Sequence, residues 1–278
     1  YYQALLNWYT TTDLTADQVH ELGLANVDRL QADMRALMEQ LAFEGTLVEF
    51  FASVRASDSL RFPNTDRGRD QYLEAARSAI DAMKARLPDY FGVLPKAELT
   101  VKRVEAFREQ SAGKAFYQGP PMDGSRPGIY YANLYDMSAM PKTDLEALAF
   151  HEGVPGHHLQ RALTTELGEI PDFQRYLSFT AFTEGWGLYS EYLAKEMGFY
   201  QDPYSEFGRL AMELWRAARL NAGETIADDM PSRLATLEIP KVVATENAIK
   251  VVDTAMRLVG GDRKSTRLNS SHQIISYA

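Results

Sequence analysis

The fold and the chemistry of this chain centre on the run Phe150-His151-Glu152-Gly153-Val154-Pro155-Gly156-His157-His158-Leu159-Gln160, which holds three of the five histidines. A histidine followed at once by a glutamate, with further histidines one or two helical turns on, is typical of a metalloprotease motif in altered spacing. Neutral imidazole is the commonest zinc ligand, and an adjacent carboxylate is the base that such a site needs. The run therefore predicts a metal site.

The spacing of the histidines decides which imidazoles can meet at one ion. The usual partner of His151 would lie four residues on, where this chain has Pro155. On a regular helix His158 would lie ~10.5 Å along the axis from His151, and His157 would point about 120° away. Proline and the glycine after it favour a local bulge at 153–156, which would bring His157 beside His151. We predict these two as ligands. His158 is the reserve candidate, and its other interpretations are that it supports a ligand from behind or packs in the core.

A third ligand must come from another histidine or a carboxylate, because the chain has no cysteine. Glu184 lies in Ala181-Phe-Thr-Glu-Gly-Trp-Gly-Leu-Tyr-Ser-Glu191, on the next long predicted helix. Glycine costs a helix interior about 1 kcal/mol relative to alanine, so two glycines here indicate that a neighbour approaches closely. We predict Glu184 as the third ligand. Glu191, on the same face, is the alternative, and a solvated helix face is the simpler interpretation of either glutamate.

Composition narrows the class of protein. The 278 residues are 45% hydrophobic and 24% charged, as in ordinary globular proteins. The net charge of −9 argues against a nucleic-acid partner, and the lack of a long apolar run predicts no membrane span. The oligomeric state stays open. The compartment also stays open, because the composition suits a periplasmic, a secreted or a cytoplasmic protein. The chain begins at Tyr1 without methionine, so we expect an internal fragment whose leader, if any, lies upstream.

Hydrophobic periodicity predicts a mainly α fold with a small peripheral β-sheet. Capping boxes at Thr15–Gln18 and Thr143–Glu146 indicate two helix starts, the second launching the helix that carries the histidines. Strands are predicted within 97–107 and 128–134, around a turn-rich segment at 118–127. The other predicted helices span about 15–41, 66–87, 172–197, 204–222 and 240–258.

The motifs HEGVPGHHLQ (151–160) and TEGWGLYSEYLA (183–194) resemble the bacterial domain-of-unknown-function family 885, which is related to zinc peptidases of the gluzincin type. Segments 117–133 and 214–220 also resemble it, so the resemblance covers about 1–220. It implies a helical zinc-peptidase-like domain and a metallopeptidase that cleaves peptide or amide bonds with zinc-activated water. His151, His157 and Glu184 would hold Zn²⁺ and Glu152 would be the general base. The strand at 128–133 would be the edge along which a peptide-like substrate lies.

A tetrahedral oxyanion at such a site needs a further donor. The candidates for this donor are Tyr130, Tyr131, Arg216 and Arg219. Core tyrosines and salt-bridged helix arginines are the alternative interpretations of these residues.

The chain departs from the family after Leu220. Residues 230–261 resemble the C-terminal helical region of an acyl-CoA dehydrogenase, and residues 262–278 resemble translated sequencing adapter. We therefore expect a partial hydrolase domain at 1–220 whose N-terminal part is missing, a foreign helical segment at 221–261, and a disordered, artefactual tail at 262–278. Two other functions stay open: an inactive metal-binding fragment, and an oxidoreductase related to acyl-CoA dehydrogenases.

Overall fold

The computed structural model describes residues 1–168 and 170–221, with the backbone alone at 219–221. This part of the chain is mostly helical with one small sheet, which confirms the predicted fold class. The predicted helix at 240–258 and both predicted segments beyond 221 lie outside the described residues. The helices are α1 (Tyr2–Thr10), α2 (Ala16–Gln40), α3 (Leu47–Ala56), α4 (Asp66–Arg86), α5 (Leu145–Glu152), α6 (His157–Glu166), α7 (Asp172–Tyr176), α8 (Thr180–Glu196) and α9 (Pro203–Asn221); the strands are β1 (Leu99–Arg103), β2 (Ala115–Gln118) and β3 (Gly128–Ala132).

Two long helices form where the sequence pattern predicts them. At the start of α2, the Thr15 hydroxyl accepts from the amide of Gln18 at 3.3 Å, and the Gln18 side chain accepts from the amide of Thr15 at 2.9 Å. This capping box satisfies two backbone donors that the first turn would otherwise leave unpaired. Helix α4 buries one face at spacings of three and four residues, formed by Tyr72, Ala76, Ile80 and Met83.

The sheet has the order β1-β3-β2, with β1 parallel and β2 antiparallel to β3. Strand β3 is therefore paired on both sides, and all five of its residues are buried. The prediction that this strand is an edge is wrong. Strands β1 and β2 lie at the two edges of the sheet. The sequence pattern did not mark β2 because it runs directly into the turn-rich segment at 118–127.

The start of the histidine helix differs from the predicted capping box. Helix α5 begins at Leu145 after a 3-10 turn and has no side-chain cap. The Thr143 hydroxyl donates to the carboxylate of Asp144, while the carboxylate of Glu146 accepts from the Ser205 hydroxyl on α9. That prediction is wrong because the neighbouring carboxylate of Asp144 engages Thr143, and a tertiary contact with Ser205 engages Glu146.

The predicted helix at 172–197 is also interrupted. Helix α7 ends at Tyr176, the backbone is extended at Leu177, and α8 begins at Thr180. By contrast, the helix predicted at 204–222 forms as α9, and none of the described helices has the length and apolar character needed to cross a bilayer.

Two hydrophobic cores hold these elements together. The larger core joins α4, the sheet, α5, α6 and α8, and it includes the fully buried side chains of Tyr72, Tyr130 and Phe150. The second core lies between α2, α3 and α9 around Phe50 and Leu210. Since α5 and α8 belong to the larger core and α9 contacts α5, the histidine run lies where the helices meet.

Candidate metal centre

The histidine run breaks its helix completely. Helix α5 ends at Glu152, α6 begins at His157, and a non-helical turn with a cis Val154–Pro155 peptide bond joins them. The prediction of a bulge within one helix is therefore wrong, although the change of direction falls where it was placed. A Cβ atom on Gly156 would lie 1.9 Å from the carbonyl oxygen of His151, so the turn can close only around glycine.

Three donor groups converge across this turn. The Nε2 atom of His151 lies 3.6 Å from Oε2 of Glu184, and the Nε2 atom of His157 lies 3.7 Å from Oε1 of the same carboxylate. The two imidazole rings are 4.6 Å apart between centroids and nearly perpendicular, at 83°. One donor atom from each residue falls within 4.8 Å of the other two. Ligand atoms about 2.1 Å from a tetrahedral zinc ion are ~3.4 Å apart, so the donor set fits such an ion.

Helix α8 approaches the first imidazole through a glycine. A Cβ atom on Gly187 would lie 2.6 Å from Cε1 and 2.7 Å from Nε2 of His151. Both distances are far below ordinary contact, so only glycine leaves room for the ring. On the same helix, the indole of Trp186 donates to the carbonyl oxygen of Pro155 at 2.9 Å, which ties α8 to the turn.

A buried carboxylate holds the far side of His151. Its Nδ1 atom lies 2.7 Å from Oε1 of Glu191, and Arg216 contacts both oxygens of that carboxylate, at 3.0 and 3.1 Å. Burial raises the pKa of Glu191, but the charge of Arg216 and the hydrogen bond to His151 outweigh it, so the pKa lies below its ordinary value. Glu191 therefore orients the ring from behind, and the structure does not bring it into the three-residue donor cluster.

The two carboxylates also control the protonation of His151. Burial lowers its pKa, but hydrogen bonding to Glu184 and Glu191 outweighs burial and raises the pKa to about 9. An imidazole must be neutral at the donating nitrogen to bind a metal, so a metal ion bound here would displace a proton from His151.

Glu152 is the last residue of α5 and lies directly beside the donor set. Its side chain is buried, and it lines the same cleft as His151, His157 and Glu184. Its negative charge contributes to the raised pKa of His151. A carboxylate in this position can exchange protons with a molecule bound at the donor set.

His158 points away from the donor set. Burial lowers its pKa to about 4, so the ring is neutral. Its Nε2–H donates to the carbonyl oxygen of Ala97 at 3.0 Å, which leaves Nδ1 to accept from the hydroxyl of Tyr117, also at 3.0 Å. A Cβ atom on Gly128 would lie within 2.6 Å of both partners, so glycine in β3 makes room for this contact. His158 thus packs beneath the sheet and positions Tyr117.

The donor set opens into a cavity of about 800 Å³. Its walls come from β2, α5, α6, α8 and α9, and its polar side chains include Lys114, Tyr117, Asp144, Arg161, Glu184 and Arg216. Sequence reasoning missed Tyr117 and Arg161. Arg161 follows His157 by four residues, so helical periodicity in α6 was a signal that could have found it.

The oxyanion candidates fall in different places. Tyr130 is fully buried beside Tyr72, and burial raises its pKa well above its ordinary value. Tyr131 points to the opposite face of the sheet, where its ring stacks on the ring of Phe116 with 4.9 Å between centroids. Neither tyrosine lines the cavity, whereas Arg216 does. The side chain of Arg219 lies outside the described residues.

The chain belongs to the bacterial family described as "Bacterial protein of unknown function (DUF885)", whose profile matches residues 1–223. Similar solved structures include two bacterial proteins. One is from Colwellia psychrerythraea and is described as a "putative lipoprotein"; it is 28% identical with a TM-score of 0.87, over 95% of this chain and 50% of that one. The other, from Shewanella oneidensis, is described as a "putative lipoprotein of unknown function"; it is 17% identical with a TM-score of 0.75, over 100% and 57% of the two chains.

Because the Shewanella oneidensis structure is only 17% identical, its similarity shows the fold alone. The chain spans about half the length of each of these two solved structures. No curated protein matches it.

Proposed function

We propose that this member of the family is a zinc-dependent hydrolase that cleaves peptide or amide bonds. The observation that carries the proposal is the convergence of His151, His157 and Glu184 beside the buried carboxylate of Glu152, at the wall of an open cleft. Two imidazoles, one carboxylate and no thiolate form a donor set that suits catalytic zinc. Gly187 supports the same assignment. A glycine inside α8 destabilises the helix, and here it makes room for the ring of His151, one of the proposed ligands.

Bound zinc would supply a Lewis acid that polarises a carbonyl group and acidifies a water molecule. Glu152 would accept the proton of the attacking water and return it to the leaving nitrogen. Glu191, held by Arg216, would keep the Nδ1–H of His151 in place so that Nε2 faces the donor set.

The edge strand gives a place for the substrate. Strand β2 lines the cleft with Ala115, Phe116 and Tyr117, and within the described part of the chain β3 is its one partner strand. An extended peptide can add to such an edge through main-chain hydrogen bonds, which require no particular side chains. We therefore place a peptide-like substrate along β2, in the role that the sequence pattern had given to β3.

Metal analysis and turnover test this proposal together. Purified protein should hold about one equivalent of zinc, and His151→Ala should lose it. Glu152→Gln should keep the zinc and lose hydrolysis of a peptide library, while Arg67→Gln, on the exposed start of α4, should match the unmodified protein. Hydrolysis by the Glu152→Gln protein at the unmodified rate would reject Glu152 as the base.

The second candidate is a metal-binding fragment without activity. It is favoured by the length comparison, since the two solved structures are about twice as long as the matched part of this chain. Zinc binding without turnover in this chain, together with turnover by a full-length relative, would establish it.

For the compartment, we propose the bacterial cell envelope. The description of the Colwellia psychrerythraea structure as a "putative lipoprotein" supports this location. Fractionation of cells that produce the full-length protein tests it, and recovery in the soluble cytoplasmic fraction alone would reject it.

A further inference from the structure

Arg161 lines the wall of the cleft beside the donor set. It lies on α6 four residues after His157, so the two side chains share one face of the helix, and both line the cavity. The next two residues, Ala162 and Leu163, are buried in the core, whereas Arg161 is exposed. The backbone of α6 thus fixes the point from which the Arg161 side chain extends into the cleft beside the donor set.

The other two cations that line the cavity have carboxylate partners. The Nζ atom of Lys114 lies 2.5 Å from Oδ2 of Asp144, and the Nη2 atom of Arg216 lies 3.0 Å from Oε1 of Glu191. Among residues 1–168 and 170–218, no hydrogen bond or ion pair engages the guanidinium group of Arg161. The cleft therefore offers a positive charge to a ligand beside the donor set.

The charge of Arg161 reaches the opposite wall. Burial raises the pKa of the Tyr117 hydroxyl on β2, and the positive charge of Arg161 opposes that rise. Arg161 and the edge strand therefore face one space, which is the space that we assign to the substrate.

We propose that Arg161 binds the free C-terminal carboxylate of a peptide substrate, so that this hydrolase removes one or two residues from the C-terminal end. Four residues of helix place Arg161 ~6 Å beyond His157. An extended peptide advances ~3.3 Å per residue, so a carboxylate one or two residues past the scissile bond reaches that level. Guanidinium groups bind carboxylates in a bidentate geometry. This inference rests on the proposed hydrolase function.

Calorimetry on the zinc-loaded Glu152→Gln protein separates binding from turnover. The probes are N-acetyl-tetra-alanine with a free C-terminal carboxylate, its C-terminal amide, and an amide whose last residue is glutamate. We expect the free acid to bind about tenfold more tightly than either amide, as one charge-assisted contact predicts. Adding Arg161→Gln should abolish this preference, and adding Arg67→Gln should leave it unchanged.

The outcomes are distinct. Equal binding of acid and amide, the same preference after Arg161→Gln, or no binding of any probe would overturn the inference. Tight, Arg161-dependent binding of the glutamate amide would overturn the C-terminal assignment in favour of an acidic side chain. Hydrolysis is measured separately with Glu152 intact. A lack of turnover with an Arg161-dependent preference for the acid would reject the hydrolase and leave the carboxylate site standing.

Discussion

Replacing Gly187 with alanine should weaken metal binding without changing any ligand. The new Cβ would lie 2.6 Å from Cε1 of His151, against at least 3.4 Å for an ordinary contact, so the ring must move by about 0.8 Å. The hydrogen bond of 2.7 Å between Nδ1 and Glu191 opposes that movement from the other side. Metal sites tolerate errors of about 0.2 Å in ligand distance, so we expect zinc affinity to fall by at least about 10–100-fold.

Zinc affinity is measured by competition with a chromophoric chelator, and the fold is checked by urea unfolding of the metal-free protein. Alanine gains about 1 kcal/mol over glycine in a helix interior, which offsets part of the clash, so the metal-free protein should remain folded. Gly168→Ala is the control, because nothing lies within 4 Å of its added Cβ. Equal zinc affinity in Gly187→Ala and Gly168→Ala would refute the argument that this glycine makes room for a ligand.

Three further predictions concern stability. Glu191→Ala leaves Arg216 and His151 without their shared buried partner, so the free energy of unfolding in urea should fall by about 3–5 kcal/mol; a loss below 1 kcal/mol would contradict this. Removing zinc with a chelator should lower the Tm by about 5 °C or more if the metal had been at 100 times its Kd, as scanning calorimetry would show. Burial raises the pKa of Glu206, but the hydrogen bond to Arg209 and the charges of Arg209 and Lys195 outweigh burial, so the pKa lies below its ordinary value of 4.5. The stabilisation from Glu206 is therefore present above pH 4.5 and is lost as the pH falls through the pKa of the folded state. Glu206→Gln should therefore show a smaller loss of stability below pH 4.5 than the unmodified protein, and parallel pH curves for the two would contradict this.

The sequence predicted those elements whose signals are local. The capping box at Thr15 lies within four residues, and the apolar face of α4 repeats every three or four residues, so both could be recognised without knowledge of the fold. The capping box predicted at Thr143 failed because Ser205, far away in the chain, binds Glu146. Local propensity decides a helix end only where no distant side chain competes.

The same division holds for the candidate site. Residue types and the Pro-Gly break indicated His151 and His157, and the two glycines near Glu184 indicated the third donor. The structure brings these three residues together. The sequence also indicated that a glycine in α8 must face a close neighbour, but only the tertiary structure shows that the neighbour is the ring of His151 at Gly187.

By itself, the sequence determined the helical class, the place where the histidine helix turns, and the chemical identity of the donor set. The tertiary structure decided that β2 is an edge strand beside the cleft, that Glu191 stands behind the ring of His151, and that Tyr117 and Arg161 face the cleft. Hydrophobic periods and capping boxes are properties of neighbouring residues, whereas strand order and the roles of these side chains depend on contacts between segments far apart in the chain. Such contacts exist only once the core has packed.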